Sequence, residues 1–390
     1  MTDGRADAIV RDVSTAVALV EGEAGVRDVL GAVARLEPVG TRRISRAVEL
    51  PVPIVAAVCG ELRKRGVIAR ERPVRLTPAG RSLFGFPNRV PQPDAEWIFV
   101  RNEADQLKEL EGVAKILTRI AGAAPEARLE IDQAHCTVDT KLRRVLLLHE
   151  TGALLNKRVL LLGDDDLISV AMHKFARHYG LEGSMDELTV VDVDPAVLDF
   201  CRAHLADASF PVRFVQHDLR MPLPSVLLNT ADTILTDPPY TPEAAELFLS
   251  RAASALSGGS GRHIFFCFGM KSPQVTLRIQ SAIVAMGLVV RQLIRNFNEY
   301  LGAGTLGGSS HLYHLTSTNQ TMPLMEGAYA GHLYTGEQGR ARRYRCATCG
   351  AIEEVGGHRP FMTIGDLKRG KCPACGGVSF RPLSRSTSAR

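Results

Sequence analysis

No apolar stretch in this chain reaches the ~20 residues that a membrane-spanning helix requires. The first twenty residues break up their apolar positions with Asp3, Arg5, Asp7, Arg11 and Asp12, so they lack the uninterrupted run of a secretory signal. Both absences lead to the expectation of a cytoplasmic protein with no membrane partner. Charge of one sign is also scarce. Lys and Arg number 47 against 42 Asp and Glu, a net +5, which is too little to argue for nucleic acid by itself. The basic run Arg340, Arg342, Arg343 and Arg345 reads as a solvated surface. Activated thiols are missing too: Cys59, Cys136, Cys201 and Cys267 are scattered and read as reduced, buried small residues. A glycine-rich phosphate loop is likewise absent where a dinucleotide fold would carry one.

What is present suits a globular protein of several units. Hydrophobic residues make up 45% and charged residues 23% of the 390, an ordinary composition that sets disorder and fibrous classes aside. With roughly 150 residues per domain as a guide, we expect a winged-helix domain over 1–90, a Rossmann-like α/β domain over 91–325, and a small unit with a disordered tail over 326–390.

The first of these rests on helical spacing in Val26 to Leu36, Thr41 as a cap for Arg42 to Leu50, and the stripe Ile54, Val58, Leu62, Val67. The segment Val67 to Leu76 alternates like a hairpin wing and ends in the helix start Thr77-Pro78. Arg63, Lys64 and Arg65 would serve DNA binding. Glu61 and Glu71 interrupt that face, so dimerisation or cover for an active site is the favoured use, and a fold alone does not fix a function. Pro87 to Pro93 reads as a linker.

Beyond it, apolar runs at Val159–Leu162, Leu188–Val193, Val212–Val215, Thr233–Thr236 and His263–Phe268 alternate with helices at Ile168–Tyr179, Ala196–Leu205 and Pro242–Leu256. This pattern predicts a doubly wound parallel sheet whose ligands meet the carboxyl ends of the strands. Those ends carry acids. After the first strand stands Gly163-Asp164-Asp165-Asp166, which repels a phosphate and suits a cation: a sulfonium, an ammonium or a metal ion such as magnesium. The second strand ends in Asp192-Val-Asp194, with Asp192 preferred for gripping a ribose diol and Asp194 as the alternative. The third leads to Asp218, placed to accept from an adenine amino group. The fourth ends Asp237-Pro238-Pro239-Tyr240, where two prolines remove amide hydrogens and leave a carboxylate, carbonyls and a ring facing the cleft, which suits a nitrogen nucleophile.

Together with Ile131-Asp132-Gln133, Asp218-Leu219-Arg220 and Asn296-Phe297-Asn298-Glu299-Tyr300, these segments resemble the branched-chain polyamine synthase family, the N4-bis(aminopropyl)spermidine synthases, over about residues 35 to 315. The Asp-Pro-Pro-Tyr unit alone is shared with amino-group methyltransferases. The resemblance implies decarboxylated S-adenosylmethionine as donor, a polyamine such as spermidine as acceptor, and a branched polyamine and methylthioadenosine as products. It places Asp164, Asp165 and Asp166 on the donor's aminopropyl end and has Asp237 orient the acceptor nitrogen. With the strand-end reading, Gly163, Asp192 and Asp218 are expected to complete the donor site, Tyr240 to join Asp237 in catalysis, and Asp132, Pro238, Pro239, Glu299 and Tyr300 to meet the acceptor. A homodimer is expected, and any nucleic-acid binding is expected to lack sequence specificity.

The carboxyl-terminal cysteines depart from that family pattern. Cys346-x-x-Cys349 and Cys372-x-x-Cys375-Gly-Gly have the spacing of a tetrahedral zinc ribbon, so structural zinc is expected there. Alternative readings are a methyltransferase or 3-amino-3-carboxypropyl transferase acting on a macromolecule from intact S-adenosylmethionine, and a polyamine-sensing DNA-binding regulator.

Overall fold

The computed structural model describes residues 3–88, 109–181, 183–301, 308–334, 342–355, 359–361 and 364–383. Most of the Pro87–Pro93 linker, Arg340 and the end of the tail lie outside them.

Five helices come first: α1 (Asp3–Val17), α2 (Gly22–Leu36), α3 (Thr41–Val48), α4 (Val52–Lys64) and α5 (Pro78–Leu83). Thr77 caps α5 by accepting from the Gly80 amide at 2.9 Å, as Thr-Pro at a helix start should. Between α4 and α5 the chain makes only isolated bridges, Ile68 with Leu76 and Val39 with Val74, rather than a continuous hairpin. Helix α1 was not anticipated; it packs on α2 and α4.

The α/β part is entered through α6 (Glu111–Ala121) and α7 (Val138–Glu150). It continues β1 (Arg158–Leu162), α8 (Ile168–His178), β2 (Glu187–Asp192), α9 (Pro195–His204), β3 (Val212–Gln216), β4 (Thr233–Thr236), α10 (Pro242–Ala255), β5 (His263–Gly269), α11 (Pro273–Ala285), β6 (Leu288–Glu299) and β7 (Ser309–Ser317). The sheet order is β3-β2-β1-β4-β5-β7-β6. The strands from β3 to β5 are parallel, as expected, whereas β7 and β6 run antiparallel, so the sheet is mixed rather than wholly parallel. The order reverses between β1 and β4, which opens the crevice where open α/β sheets bind ligands. Three short strands, β8 (Arg342–Cys346), β9 (Ile352–Val355) and β10 (Phe380–Pro382), form a separate sheet beside α12 (Ile364–Gly370). No helix among the described residues is long and apolar enough to cross a membrane.

One apolar cluster runs from Val10, Val26 and Leu62 of the amino-terminal helices through Leu146 of α7 to Leu161, Val190 and Phe265 of the sheet. The amino-terminal unit is therefore built onto the α/β part. Its docking is polar at the rim: Lys157 pairs with Asp28 at 3.3 Å, Arg291 with Glu49, and Asn156 donates to the Phe84 carbonyl at 2.7 Å. A cavity of about 1180 Å³ lies in this seam, lined by Arg27, Asp28, Arg35, Lys157, Asp232 and Arg291 among others. Lys157 immediately precedes β1, so the seam is at the amino ends of the strands. The expectation that this unit covers the active site fails within one chain, because it sits at the opposite end of the sheet from the acidic loops.

Candidate active site

Short apolar strands bury the middle of the sheet and deliver their polar residues at the carboxyl ends, where Asp164, Asp166, Asp192 and Asp194 are all buried. The acids after β1 divide into three distinct environments. Asp164 turns inward and caps α8, accepting from the amides of Ile168 (2.6 Å) and Ser169 (3.3 Å). Burial raises its pKa to about 7 against the pull of those amides. Asp166 accepts from the Cys136 amide at 2.5 Å and from Arg144 at 2.7 Å. Burial works against its ionisation, yet Arg144 and Lys141 outweigh it and hold the pKa below the usual range. Asp165 is the exception. Its carboxylate takes the Ala134 amide at 3.2 Å, and among the described residues no cation pairs with it. Burial and then the charges of Asp166, Asp192 and Asp237 push its pKa well up. The expectation that all three face a cationic ligand is thus corrected: one caps a helix, one is neutralised from within by Arg144, and Asp165 is left with a backbone amide and no paired cation among the described residues. Gly163 makes the turn with φ +85°, a conformation that favours glycine.

Asp192 ends β2 and accepts from the amides of Asp164 (2.9 Å) and Asp194 (2.8 Å), so it ties two strand ends together. Burial raises its pKa. Asp194 caps α9 through the Ala196 amide at 2.9 Å. Asp218 is gripped by Arg220, whose Nη2 donates at 2.7 Å. Burial opposes its charge, and Arg220 more than compensates, leaving the pKa low.

Asp237 is the centre of the second group. Arg144 Nη2 donates to its Oδ2 at 2.7 Å, the Tyr300 hydroxyl donates to the same oxygen at 2.6 Å, and the Tyr240 hydroxyl lies 3.2 Å from Oδ1. Tyr240 and Tyr300 are themselves 2.7 Å apart, and Ser310 Oγ completes the cluster 2.9 Å from Tyr300. Burial raises the Asp237 pKa despite Arg144, with Asp166 adding to the rise. Both phenols are pushed well up by burial and by Asp237, so they remain donors. Gly269, which ends β5, lies flat against the Tyr240 ring; a Cβ there would be 2.5 Å from Cδ2. Lys271, just beyond, holds its ammonium 5.9 Å from the centre of that ring. Pro238 and Pro239 make the turn from β4. Tyr300, expected on the acceptor side, donates to Asp237 and so buttresses it. The backbone carbonyl of Glu299 accepts from the Thr137 amide at 2.8 Å, joining β6 to the start of α7. Asp132 follows a short 3-10 turn with φ +57° and attracts Lys271.

Sequence reasoning missed Arg144, the residue that joins the two groups. Its side chain is fully buried and reaches Asp166, Asp237, Asn298 (2.8 Å) and Tyr300 (3.2 Å). A signal existed: Lys141 and Arg144 are one turn apart on a helix whose next four residues are the apolar run Val145, Leu146, Leu147 and Leu148.

At the carboxyl-terminal sheet, the sulfurs of Cys346, Cys349, Cys372 and Cys375 lie within 4.8 Å of one another, with contacts of 3.6 Å and 3.7 Å. Thiolates ~2.3 Å from a tetrahedral zinc stand about 3.8 Å apart, which these distances match. Gly350 (φ +79°) and Gly376 (φ +73°) turn the two knuckles, and at Gly377 a Cβ would press within 2.8 Å of Thr348 Oγ1.

The family described as the branched-chain polyamine synthase A C-terminal domain matches residues 112–321. An uncharacterised protein of Methanocaldococcus jannaschii is 30% identical over 97% of this chain and 93% of its own length. The N(4)-bis(aminopropyl)spermidine synthase of Thermococcus kodakarensis is 32% identical over 67% of this chain and 74% of its own. Among solved structures, the branched-chain polyamine synthase of Thermus thermophilus, in complex with N4-aminopropylspermidine and 5'-methylthioadenosine, superposes with a TM-score of 0.53. It is 22% identical and covers 84% of this chain and 96% of that one, a likeness of fold.

Proposed function

This chain belongs to the branched-chain polyamine synthase family, and from that premise we propose that it transfers an aminopropyl group from decarboxylated S-adenosylmethionine to an amine of a polyamine such as spermidine. The observation that carries the reading is Asp165, an acid at the crevice for which the protein supplies no cation among the described residues. The decarboxylated donor brings an ammonium and a sulfonium and lacks the carboxylate that would face Asp165 in intact S-adenosylmethionine. That difference favours aminopropyl transfer over methyl or 3-amino-3-carboxypropyl transfer.

In the proposed mechanism Asp192 accepts from the ribose diol, Asp218 marks the adenine end, and Asp165 meets the donor's ammonium. The acceptor nitrogen, in its neutral form, attacks the aminopropyl carbon bonded to sulfur. The C–S bond breaks, its electron pair stays on sulfur as the neutral thioether methylthioadenosine, and the new ammonium loses its proton toward Asp237. Burial raises Asp237 in the direction that helps it take a proton, while Arg144, Tyr240 and Tyr300 fix where it points. Asp132, Pro238, Pro239 and Glu299 are assigned to the acceptor side. Incubation with spermidine and each donor, followed by mass spectrometry, tests the reading: the acceptor is expected to gain aminopropyl groups from the decarboxylated donor and no methyl from the intact one. Methylation alone would overturn it.

Residues 342–383 are assigned as a zinc ribbon held by Cys346, Cys349, Cys372 and Cys375. Protein prepared without oxygen is expected to carry one zinc per chain, and to lose it in Cys372→Ser; metal analysis finding none in the parent would sink the assignment. We assign residues 1–90 as winged-helix-like and as a unit for assembly into a homodimer rather than for reading DNA. Glu61 already pairs with Lys64 (2.6 Å) and Arg65 (2.5 Å), and α4 exposes Val52, Pro53, Ala56 and Ala57.

A further inference from the structure

Beyond residue 321, where the family match ends, the chain does not leave the α/β part at once. Residues 324–334, of which the sequence grouped 326 onward with the ribbon, run back along α10 from Ser250 to its cap Thr241 as a strap. Ser250 Oγ of α10 accepts from the amides of Leu324 (3.2 Å) and Met325 (3.1 Å). Arg251, one residue on and 1% exposed, donates to the carbonyls of Met325 (3.0 Å), Glu326 (3.2 Å) and Gly327 (2.7 Å). The same guanidinium donates to the carbonyls of Leu219 (3.0 Å) and Arg220 (3.2 Å), so a single buried cation ties the strap to the loop after β3. The Tyr329 amide adds a bond to the Arg220 carbonyl at 2.8 Å. The strap then reaches the Asp-Pro-Pro-Tyr loop, where Thr241, the cap of α10, donates to the Leu333 carbonyl at 2.7 Å. Leu333 and Tyr334 bury themselves against Ala244, Leu247 and Ile131.

The strap ends on the charge that holds Asp218. The Arg220 guanidinium lies 6.0 Å from the centre of the Tyr334 ring, within reach of a cation–π contact, and that same guanidinium donates to Asp218 at 2.7 Å and 2.9 Å. We propose that the strap is the outer wall of the nucleoside pocket and that Tyr334 is a positioning residue, holding Arg220 so that Asp218 meets the adenine end of the donor. The inference rests on the functional reading above and deepens it: the wall is supplied by sequence outside the family-matched segment, and the chain runs on from it to the four-cysteine unit.

The test uses full-length protein and equilibrium binding of methylthioadenosine by titration calorimetry, with the KM for the amine as a second readout. Tyr334→Ala is expected to weaken methylthioadenosine about tenfold, the scale of one well-placed contact, with the amine KM unchanged. Tyr334→Phe, which keeps the ring over Arg220, restores parental affinity. In a double-mutant cycle the effects of Tyr334→Ala and Arg220→Ala are expected to be less than additive, since both act through Asp218. Parental affinity in Tyr334→Ala, additive effects in the cycle, or equal loss of nucleoside and amine binding in step with a lowered Tm would each overturn the proposal. If the parent protein itself fails to bind methylthioadenosine, it is the functional reading that falls.

Discussion

Asp237→Asn is expected to lower turnover by a factor on the order of 10² to 10⁴, the range for losing a positioned acid–base group, while methylthioadenosine binds as in the parent. The substitution keeps the shape of the side chain and an oxygen able to accept from Arg144 Nη2 and from the Tyr300 hydroxyl, both now within 2.7 Å of Oδ2. What it removes is the charge and the capacity to take a proton from the acceptor nitrogen. Breaking a buried ion pair by deleting one partner costs about 3–5 kcal/mol when the other charge is stranded. Here Arg144 retains Asp166 at 2.7 Å, so the fold is expected to survive and the loss to appear in kcat. The nucleoside end is spared because its acids lie on β2 and after β3. Steady-state rates with spermidine, set beside calorimetric binding of methylthioadenosine, separate the two effects. Turnover at the parental rate would make the Asp-Pro-Pro-Tyr loop a structural turn.

Much of this geometry was legible where it depends on local chemistry. Each of the parallel strands is a short apolar run that meets its neighbours at the expected register, for instance Leu162 opposite Val191 and Thr236. Thr77-Pro78 began a helix, and two CxxC knuckles, constrained by a few residues each, came together. What stayed hidden depends on partners far along the chain. The Gly163–Asp166 loop reads as one acidic cluster because sequence carries no sign that Asp166 will meet Arg144, 22 residues earlier, or that Asp164 will turn back onto α8. Arg144 escaped for the complementary reason: a charge on a helix is taken for a solvated one, and its burial shows only once the helix is packed into the fold. The antiparallel pair β6 and β7 was missed because β6 is an edge strand with exposed Arg291 and Arg295 and register breaks after Val290 and Ile294. Its motif, Asn296 to Tyr300, was noticed as chemistry and not as the end of a strand.

Asp165→Asn is expected to weaken the decarboxylated donor about ten- to a hundredfold, the value of a hydrogen bond to a charged group at ~1.5–3 kcal/mol, and to leave methylthioadenosine unaffected. The pH dependence gives the sharper discrimination. In the free protein Asp165 is raised above an ordinary carboxylate, first by burial and then by Asp166, Asp192 and Asp237, so at a given pH it holds its proton more than an ordinary carboxylate does. A cationic donor, whose ammonium stays protonated up to a pKa of ~10, needs the ionised form. Binding therefore expels a proton. Affinity for the donor rises with pH while the free-protein carboxyl is still protonated, by up to about tenfold per pH unit, and flattens above its pKa. Asp164, raised to about 7, is capped by the Ile168 and Ser169 amides and contributes alike with either ligand. Titration in two buffers of different ionisation enthalpy counts the protons released. The count is expected to be greater for the donor than for neutral methylthioadenosine, and the difference is expected to vanish in Asp165→Asn. The variant is also expected to discriminate less against intact S-adenosylmethionine, whose carboxylate no longer meets an acid. Equal proton release with both ligands in the parent, or a donor bound as tightly by the Asn variant, would show that another group receives the ammonium and that Asp165 is buried for the fold alone.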